Sequence, residues 1–295
     1  MRIGVLCSPD SWYLDDLRRA ACNRHSIMPL AFRQLAARVG PANSGRLSCG
    51  SELLTDFDAL LVRTMPPAPL EQVVFRMDQL ARCEAAGVVV VNPAKAIEAA
   101  VDKYLTTARL AEAGLRVPRT VVCQTVEDAL AGFHALGGDV VLKPLFGGEG
   151  RGIARLNDEA LAQRAFSLLV SLGAVIYLQE FIDHPGYDLR VLLIGRRAWM
   201  IRRRNQLDWR TNLSRGAVAE PVEPTPDVLE LARRGAAAVG ATVAGVDLLP
   251  DSSGNLYMIE VNAVPGWKAT AAALGADIAA CLLDYVAELV EQRRS

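Results

Sequence analysis

Residues 143–152 read Lys143-Pro144-Leu145-Phe146-Gly147-Gly148-Glu149-Gly150-Arg151-Gly152. Glycines this dense expose backbone N–H groups that can wrap a phosphate. A lysine stands at the entrance of the loop, ending the apolar run Val140-Val141-Leu142, and a lysine in such a strand needs an anionic partner. The stretch is not a Walker A motif, because no Gly-Lys-Ser/Thr occurs in the chain. It is also a poor dinucleotide fingerprint: that motif joins a strand to a helix, whereas these glycines join two expected strands, 140–145 and 152–156. Taken alone, the loop could be an ordinary hairpin.

Outward from the loop, the pattern of strands and helices divides the chain into three regions. Residues 1–93 alternate strand and helix, with strands at 3–7, 59–63 and 88–91 and helices at 11–24 and 70–86, as in a parallel sheet of Rossmann-like type. Asn92-Pro93 punctuates the chain. Residues 94–173 carry a long helix over 94–113, strands around the glycine loop, and helices at 126–136 and 158–172. Residues 174–295 hold strands at 175–181, 188–194, 196–203, 244–250 and 256–261, a loop over 206–217, and helices at 226–239 and 277–293. Consecutive strands joined by tight turns indicate antiparallel sheets here.

The chain of 295 residues has a net charge of -1 and is 51% hydrophobic. That balance gives no general attraction to nucleic acid or to an acidic membrane, and no run is long enough to span a bilayer. The apolar N-terminus has no cleavage pattern and reads as a strand. Six scattered cysteines (Cys7, Cys22, Cys49, Cys83, Cys123, Cys281) fit neither a zinc pattern nor a disulfide framework, which leads us to expect buried reduced thiols in a cytoplasmic protein. Of 32 basic residues only four are lysine (Lys95, Lys103, Lys143, Lys268). A chain that otherwise uses arginine keeps lysine where a compact, flexible ammonium is needed.

Four further signals join the loop. Asp102-Lys103 lies on the helix that opens the second region. Gln179-Glu180-Phe181-Ile182 ends an apolar strand and offers polar edges beside aliphatic surface, as an adenine requires; a strand emerging into solvent would look the same. Gly245-Val246-Asp247-Leu248-Leu249 and Ile259-Glu260-Val261-Asn262 are apolar strands that each carry a carboxylate. Glu260 and Asn262 share a face, and oxygen-only ligands on adjacent strands suit Mg²⁺; structural salt bridges are the alternative. Last come Arg190, Arg202 to Arg204, and Arg215 in Asn212-Leu213-Ser214-Arg215-Gly216. Alternation puts Arg203 on the face opposite Arg202 and Arg204, so only one face can point into a site. His25, His134 and His184 have no ligand spacing and read as surface or core residues.

In order, these motifs resemble the ATP-grasp superfamily, and within it the RimK-like branch of amino-acid ligases, over residues 92–285. The resemblance implies an ATP-grasp fold of α/β class, with a Rossmann-like domain preceding two ATP-clamping lobes built on antiparallel sheets. It implies an ADP-forming ligase: the γ-phosphoryl group of ATP passes to a substrate carboxylate, and an amine attacks the resulting acylphosphate to form an amide. By position, Lys103 and Lys143 would hold phosphates, with the backbone of Gly148 and Gly150. Gln179, Glu180, Phe181 and Ile182 would meet adenine, Asp188 the ribose, and Arg190 the nucleotide. Asp247, Glu260 and Asn262 would bind Mg²⁺, with Mn²⁺ as the alternative metal. Arg203 and Arg215 would meet acylphosphate oxygens, with Asn212 nearby.

Glutamate is the common amino-acid donor of the branch. Its acceptors include a ribosomal protein C-terminus, a carrier protein and pterins such as tetrahydromethanopterin; a small glutamyl-bearing or pterin-like acceptor is expected here. Trp267 and Trp209 could stack on a pterin, with core packing as the alternative. A kinase that stops at phosphoryl transfer and a non-catalytic Mg-ATP sensor are the competing readings. Homo-oligomers are common among such enzymes.

Overall fold

The computed structural model describes residues 1–40, 46–148 and 150–295. Its strands form four sheets, three of which place the site. The first is parallel, with spatial order Ser26–Leu30, Arg2–Leu6, Ala59–Val62, Val89–Val91. Successive residues of its strands feed opposite cores, as a period of two demands. Ala59, Leu61, Val89 and Val91 pack with helices Trp12–Ala21 and Ile278–Arg294, while Leu60, Val62 and Val90 pack with helix Leu70–Ala85. The strand Ser26–Leu30 and a small antiparallel sheet (Leu35–Arg38, Arg46–Cys49, Glu52–Leu53) lie where the sequence shows only a polar connection. Pro29 disguises the first of these, and it is tolerated because that strand is at the sheet edge.

The second sheet is antiparallel, in the order Ala154–Leu156, Val140–Lys143, Ile176–Glu180, Thr120–Cys123. Helices Val126–Ala135 and Glu159–Ser171 cover one face through Phe133, Ala162 and Phe166, which meet Val140, Leu142, Ile176 and Leu178. The other face, with Val141, Lys143, Tyr177 and Gln179, is left for the site. Ile176–Glu180, grouped by sequence with the third region, is hydrogen-bonded between Val140–Lys143 and Thr120–Cys123. This sheet therefore takes strands from both sides of residue 173.

The helix expected over 94–113 is two helices, Ala94–Val101 and Lys103–Glu112. Asp102 is extended at the break, and its carboxylate accepts from Leu105 N at 3.0 Å, an N-cap. No Pro or Gly marks the break, so only the capping geometry reveals it.

The third sheet has five antiparallel strands in the order Val218–Pro221, Arg197–Arg204, Tyr187–Ile194, Val243–Pro250, Leu256–Asn262. Its back face (Val191, Leu193, Met200, Val246, Leu248, Val261) buries against helix Pro226–Val239 and Leu110. Helix Lys268–Leu274, not expected from sequence, follows the last strand. All six cysteines are free thiols; Cys7, Cys49 and Cys83 are buried, whereas Cys22 is exposed.

The parallel sheet grips the segment that leaves this third sheet. Asn92, 1% exposed, donates through Nδ2 to Val243 O at 2.6 Å and to Ala263 O at 2.5 Å. Its Oδ1 accepts from Thr242 N at 2.8 Å and Val243 N at 2.9 Å. Arg63 donates to Pro265 O, with its guanidinium 4.9 Å from the Tyr13 ring centroid and 4.4 Å from that of Trp267. Removing the Asn92 amide would strand several buried polar groups. Asn92→Ala should therefore cost about 3 kcal/mol, read as a lowered melting temperature, with exposed Lys95→Ala as the neutral control. A loss below about 0.5 kcal/mol would mean that the grip is not a stability element.

Candidate functional site

The open faces of the second and third sheets face each other across a cleft that opens to solvent. Lys103, Lys143, Gly148 and Gly150 line it, as do Gln179, Glu180, Phe181, Ile182, Asp188, Arg203, Asn212, Asp247 and Glu260. Arg190, Arg215 and Asn262 stand beside these lining residues. Arg190 Nη1 donates to Asp247 Oδ1 at 2.7 Å, Arg215 Nη2 to Gly150 O at 3.2 Å, and Asn262 Oδ1 accepts from Val264 N at 2.8 Å. Gly150 is left-handed (φ 69°), and a Cβ there would collide with the Asn212 side chain, so only glycine lets the loop approach this closely. Glu149 lies outside the described residues.

On the five-stranded sheet the charges are set by register. Asp188 faces Arg203, Arg190 faces Asp247, and Asp247 faces Glu260. Arg203 is 7% exposed and bridges Asp188 and Asp247, reaching the latter at 2.9 Å. Arg202 and Arg204 point the other way and share Glu220, as alternation requires. Gly245 has no Cβ to collide with the Arg190 guanidinium. Burial works against the charge on Asp247, but Arg190 and Arg203 overcome it and hold the carboxyl below its usual range. Burial likewise opposes the charge on Arg203, yet Asp247 and Asp188 keep it protonated beyond its ordinary value. Burial and the neighbouring Asp247 push the Glu260 carboxyl up. Asp247 and Glu260 are carboxylates on adjacent strands with Asn262 on the same face, and would offer oxygen donors of the kind Mg²⁺ takes, Asp247 while also bound to Arg190 and Arg203 and Asn262 Oδ1 while also bound to Val264 N.

Across the cleft, Lys143 Nζ donates to Gln179 Oε1. Burial lowers the Lys143 ammonium to about 8 and also lowers Lys103. Lys103 Nζ donates to Gly147 O in the glycine loop. Gln179 Nε2 donates to Tyr177 OH at 2.8 Å and Thr120 Oγ1 at 3.1 Å, and Tyr177 OH meets Thr107 Oγ1 at 2.7 Å. Sequence reading missed Tyr177, Thr107 and Thr120; the signal for Tyr177 was its alternation with Gln179.

At the far end, the Glu180 carboxylate accepts from Arg119 N at 2.8 Å and from the Arg119 side chain. The Phe181 ring lies 3.4 Å below the Arg155 guanidinium and 5.8 Å from Trp209. Trp209, one of the two rings expected near a pterin, lines the cleft, and Ile153, Leu249 and Ile259, none of them expected, supply more apolar wall. His184, read as a surface or core residue, also lines the cleft. Trp267 corrects an expectation: it is 1% exposed and donates Nε1 to Asp16 Oδ2 at 2.8 Å, so its ring is closed to any pterin. Asp188 likewise has both oxygens engaged, by Arg203 and by Thr211 Oγ1 at 2.6 Å, so it anchors Arg203.

Residues 100–286 match the family model described as the RimK-like ATP-grasp domain. The chain belongs to the RimK-like ATP-grasp family. A tetrahydromethanopterin:alpha-L-glutamate ligase of Methanosarcina acetivorans is 32% identical, covering 98% of this chain and 99% of that protein. A probable alpha-L-glutamate ligase of Thioalkalivibrio sulfidiphilus is also 32% identical, over 100% of this chain and 98% of its own. Among solved structures, a RimK domain ATP-grasp protein of Sphaerobacter thermophilus superposes with a TM-score of 0.75 at 25% identity, covering 97% of this chain and 99% of that one. The ATP-grasp ligase PsnB, complexed with a minimal precursor, superposes with a TM-score of 0.76 at 23% identity over 97% of this chain and 98% of its own.

This RimK-like protein is accordingly a ligase that forms C–N bonds, and ATP with Mg²⁺ is typical of its family. Among the described residues, no helix is long and apolar enough to cross a membrane.

A phosphate beside Lys143 would favour its ammonium, so nucleotide binding should raise that pKa from about 8. Binding should then take up a proton above about pH 8, and affinity should fall as pH rises through that value. Calorimetric titration of an ATP analogue in buffers of different ionisation enthalpy reads the uptake directly. Equal uptake in wild type and Lys143→Met would assign the proton to another group.

Proposed function

We propose that the chain adds L-glutamate to a small carboxylate acceptor of pterin type, releasing ADP and phosphate by way of an acylphosphate. The observation that carries this reading is one cleft that gathers two lysines beneath a glycine loop and, opposite them, the adjacent carboxylates Asp247 and Glu260. End-to-end similarity to named glutamate ligases supports the choice of amino acid, and the name of the Methanosarcina acetivorans relative supports the pterin. The functional units are taken as 1–93, 94–173 and 174–295, with strand Ile176–Glu180 completing the middle sheet.

Lys103 and Lys143 hold phosphates, and the glycine loop with Gly148 and Gly150 covers them. The adenine lies against Ile182, Phe181 and the backbone at Glu180. Asp247, Glu260 and Asn262 would hold Mg²⁺, or Mn²⁺ in its place, which would supply positive charge to the phosphate oxygens. Arg203, locked by Asp188 and Asp247, presents a fixed guanidinium to the transferring group, and Arg215 and Asn212 approach it from the loop side. Fixed charges of this kind need no reorganisation during reaction. Closure of the glycine loop keeps water from the acylphosphate until the amine attacks.

The test supplies ATP, Mg²⁺, L-glutamate and a pterin with a carboxylate side chain, and measures ADP and the mass of the product. ADP release that requires both organic substrates is expected. ADP release without glutamate would make the protein a kinase, and Mg-ATP binding without turnover would make it a sensor. Glu260→Gln should lower turnover at least about a hundredfold without loss of melting temperature, since burial already disfavours that charge. Asp247→Asn should abolish turnover and also cost about 3–5 kcal/mol of stability, because it strands two buried guanidinium groups. Full activity in both variants would remove the metal assignment.

A further inference from the structure

Gln179 was expected to read adenine, and its surroundings give it a different task. It is 2% exposed. A carboxamide has two N–H donors and one acceptor oxygen, whereas an ammonium only donates. The oxygen must therefore be the atom that faces Lys143 Nζ, which settles the amide orientation and turns the NH₂ away. Both amide hydrogens are then spent, on Tyr177 OH and Thr120 Oγ1. No donor remains for an adenine ring nitrogen.

The chain of donors continues in one direction. Tyr177 OH, having accepted from Gln179, can donate to Thr107 Oγ1 at 2.7 Å. Thr120 Oγ1 donates to Pro118 O at 2.8 Å. Thr107 lies one turn after Lys103 on the same face of helix Lys103–Glu112. That helix packs on helix Pro226–Val239 and strand Leu256–Asn262, so it belongs to the five-stranded sheet and not to the sheet that carries Lys143. Tyr177 is 1% and Thr107 8% exposed. The bond between them is a buried bridge across the two sides of the cleft.

We propose that Gln179, Tyr177 and Thr107 form a positioning relay that places Lys143 and Lys103 as a pair of fixed spacing for adjacent phosphates of the nucleotide. This rests on the reading that Lys143 meets phosphate. Gln179 fixes where the Lys143 ammonium sits, and Tyr177 fixes the sheet beneath it against the helix that presents Lys103. Without the relay, two like charges in one cleft would spread apart, and the phosphates would have to order them.

The test compares binding of a non-hydrolysable ATP analogue with binding of adenosine, in the intact chain with Mg²⁺. Gln179→Met keeps the volume and removes the hydrogen bonds. It should weaken the ATP analogue about tenfold and leave adenosine unchanged. In a Lys143→Met background the same change should add less than about twofold, because its effect passes through Lys143. Equal losses for the analogue and adenosine would overturn the proposal and restore Gln179 as an adenine reader. A full loss that persists without Lys143 would also overturn it. If Lys143→Met alone leaves the analogue's affinity unchanged, the phosphate reading of Lys143 fails first, and the relay with it. Tyr177→Phe removes a single oxygen, which guards against misfolding, and should weaken the analogue about threefold; an unchanged affinity would end the part of the relay that reaches Lys103.

Discussion

Asp247 is held between two guanidinium groups, Arg190 on its neighbouring strand and Arg203 one strand further, and the rest of the cleft is arranged around that contact. A buried ion pair of this kind adds little net stability, since desolvation cancels most of the Coulomb gain. Its consequence is geometric. With both oxygens engaged, Asp247 fixes Arg203, and Asp188 clamps Arg203 from the other side. A guanidinium fixed at both ends cannot follow solvent, and it stays aimed into the cleft. Register then places Glu260 beside Asp247, where two carboxylates repel unless a cation lies near. The same pairing thus creates a fixed positive group beside a crowded pair of carboxylates, the two features on which the proposed Mg-ATP site rests.

The parallel sheet supports this indirectly. Open α/β sheets usually bind ligands beyond the carboxyl ends of their strands. Here those ends are covered by the chain itself. Asn92 ends one strand and grips Ala263, while Arg63 follows the next and grips Pro265. Tyr13, near the start of the first helix, packs edge-on against Trp267 at 4.7 Å. The segment 263–267 runs directly from Asn262, so the position of the strand that carries Glu260 and Asn262 is set by the ends of the parallel sheet. Arg63 has carbonyl and ring partners here, and burial drops its pKa to about 10. Its guanidinium is confined by packing more than by charge, which makes it a stiff post for that segment.

Most of the charged set was legible because its chemistry conflicts with its surroundings. A lysine after Val140-Val141-Leu142, or an aspartate within Val246-Asp247-Leu248, is costly unless a partner exists, and one sequence shows that cost without showing the partner. Alternation sorted Arg203 from Arg202 and Arg204 correctly, because a period of two is a local property. What failed was pairing at a distance. Nothing in the sequence says that Tyr177 lies opposite Lys143, or that Thr107 reaches across to Tyr177, so Gln179 looked free to meet a base. Asp188 looked free for the same reason, with Arg203 and Thr211 still unplaced around it. Trp267 looked available because its partners Asp16, Tyr13 and Arg63 come from distant parts of the chain. The helix break at Asp102 was hidden because aspartate is a tolerable helix residue until its side chain is seen capping the next turn.

The glycine loop joins these parts. Lys103 donates to Gly147 O and Arg215 to Gly150 O, so cations presented from the five-stranded side hold the loop by its carbonyls. Ionised acceptors form shorter and stronger bonds than neutral carbonyls. On the proposed function, a phosphate beneath the loop would compete with the Gly147 and Gly150 carbonyls for Lys103 and Arg215. The cations that hold the loop by its carbonyls are thus among those the proposed function assigns to the nucleotide. Gly150 allows the loop to be held this close because no side chain stands between the loop and Asn212.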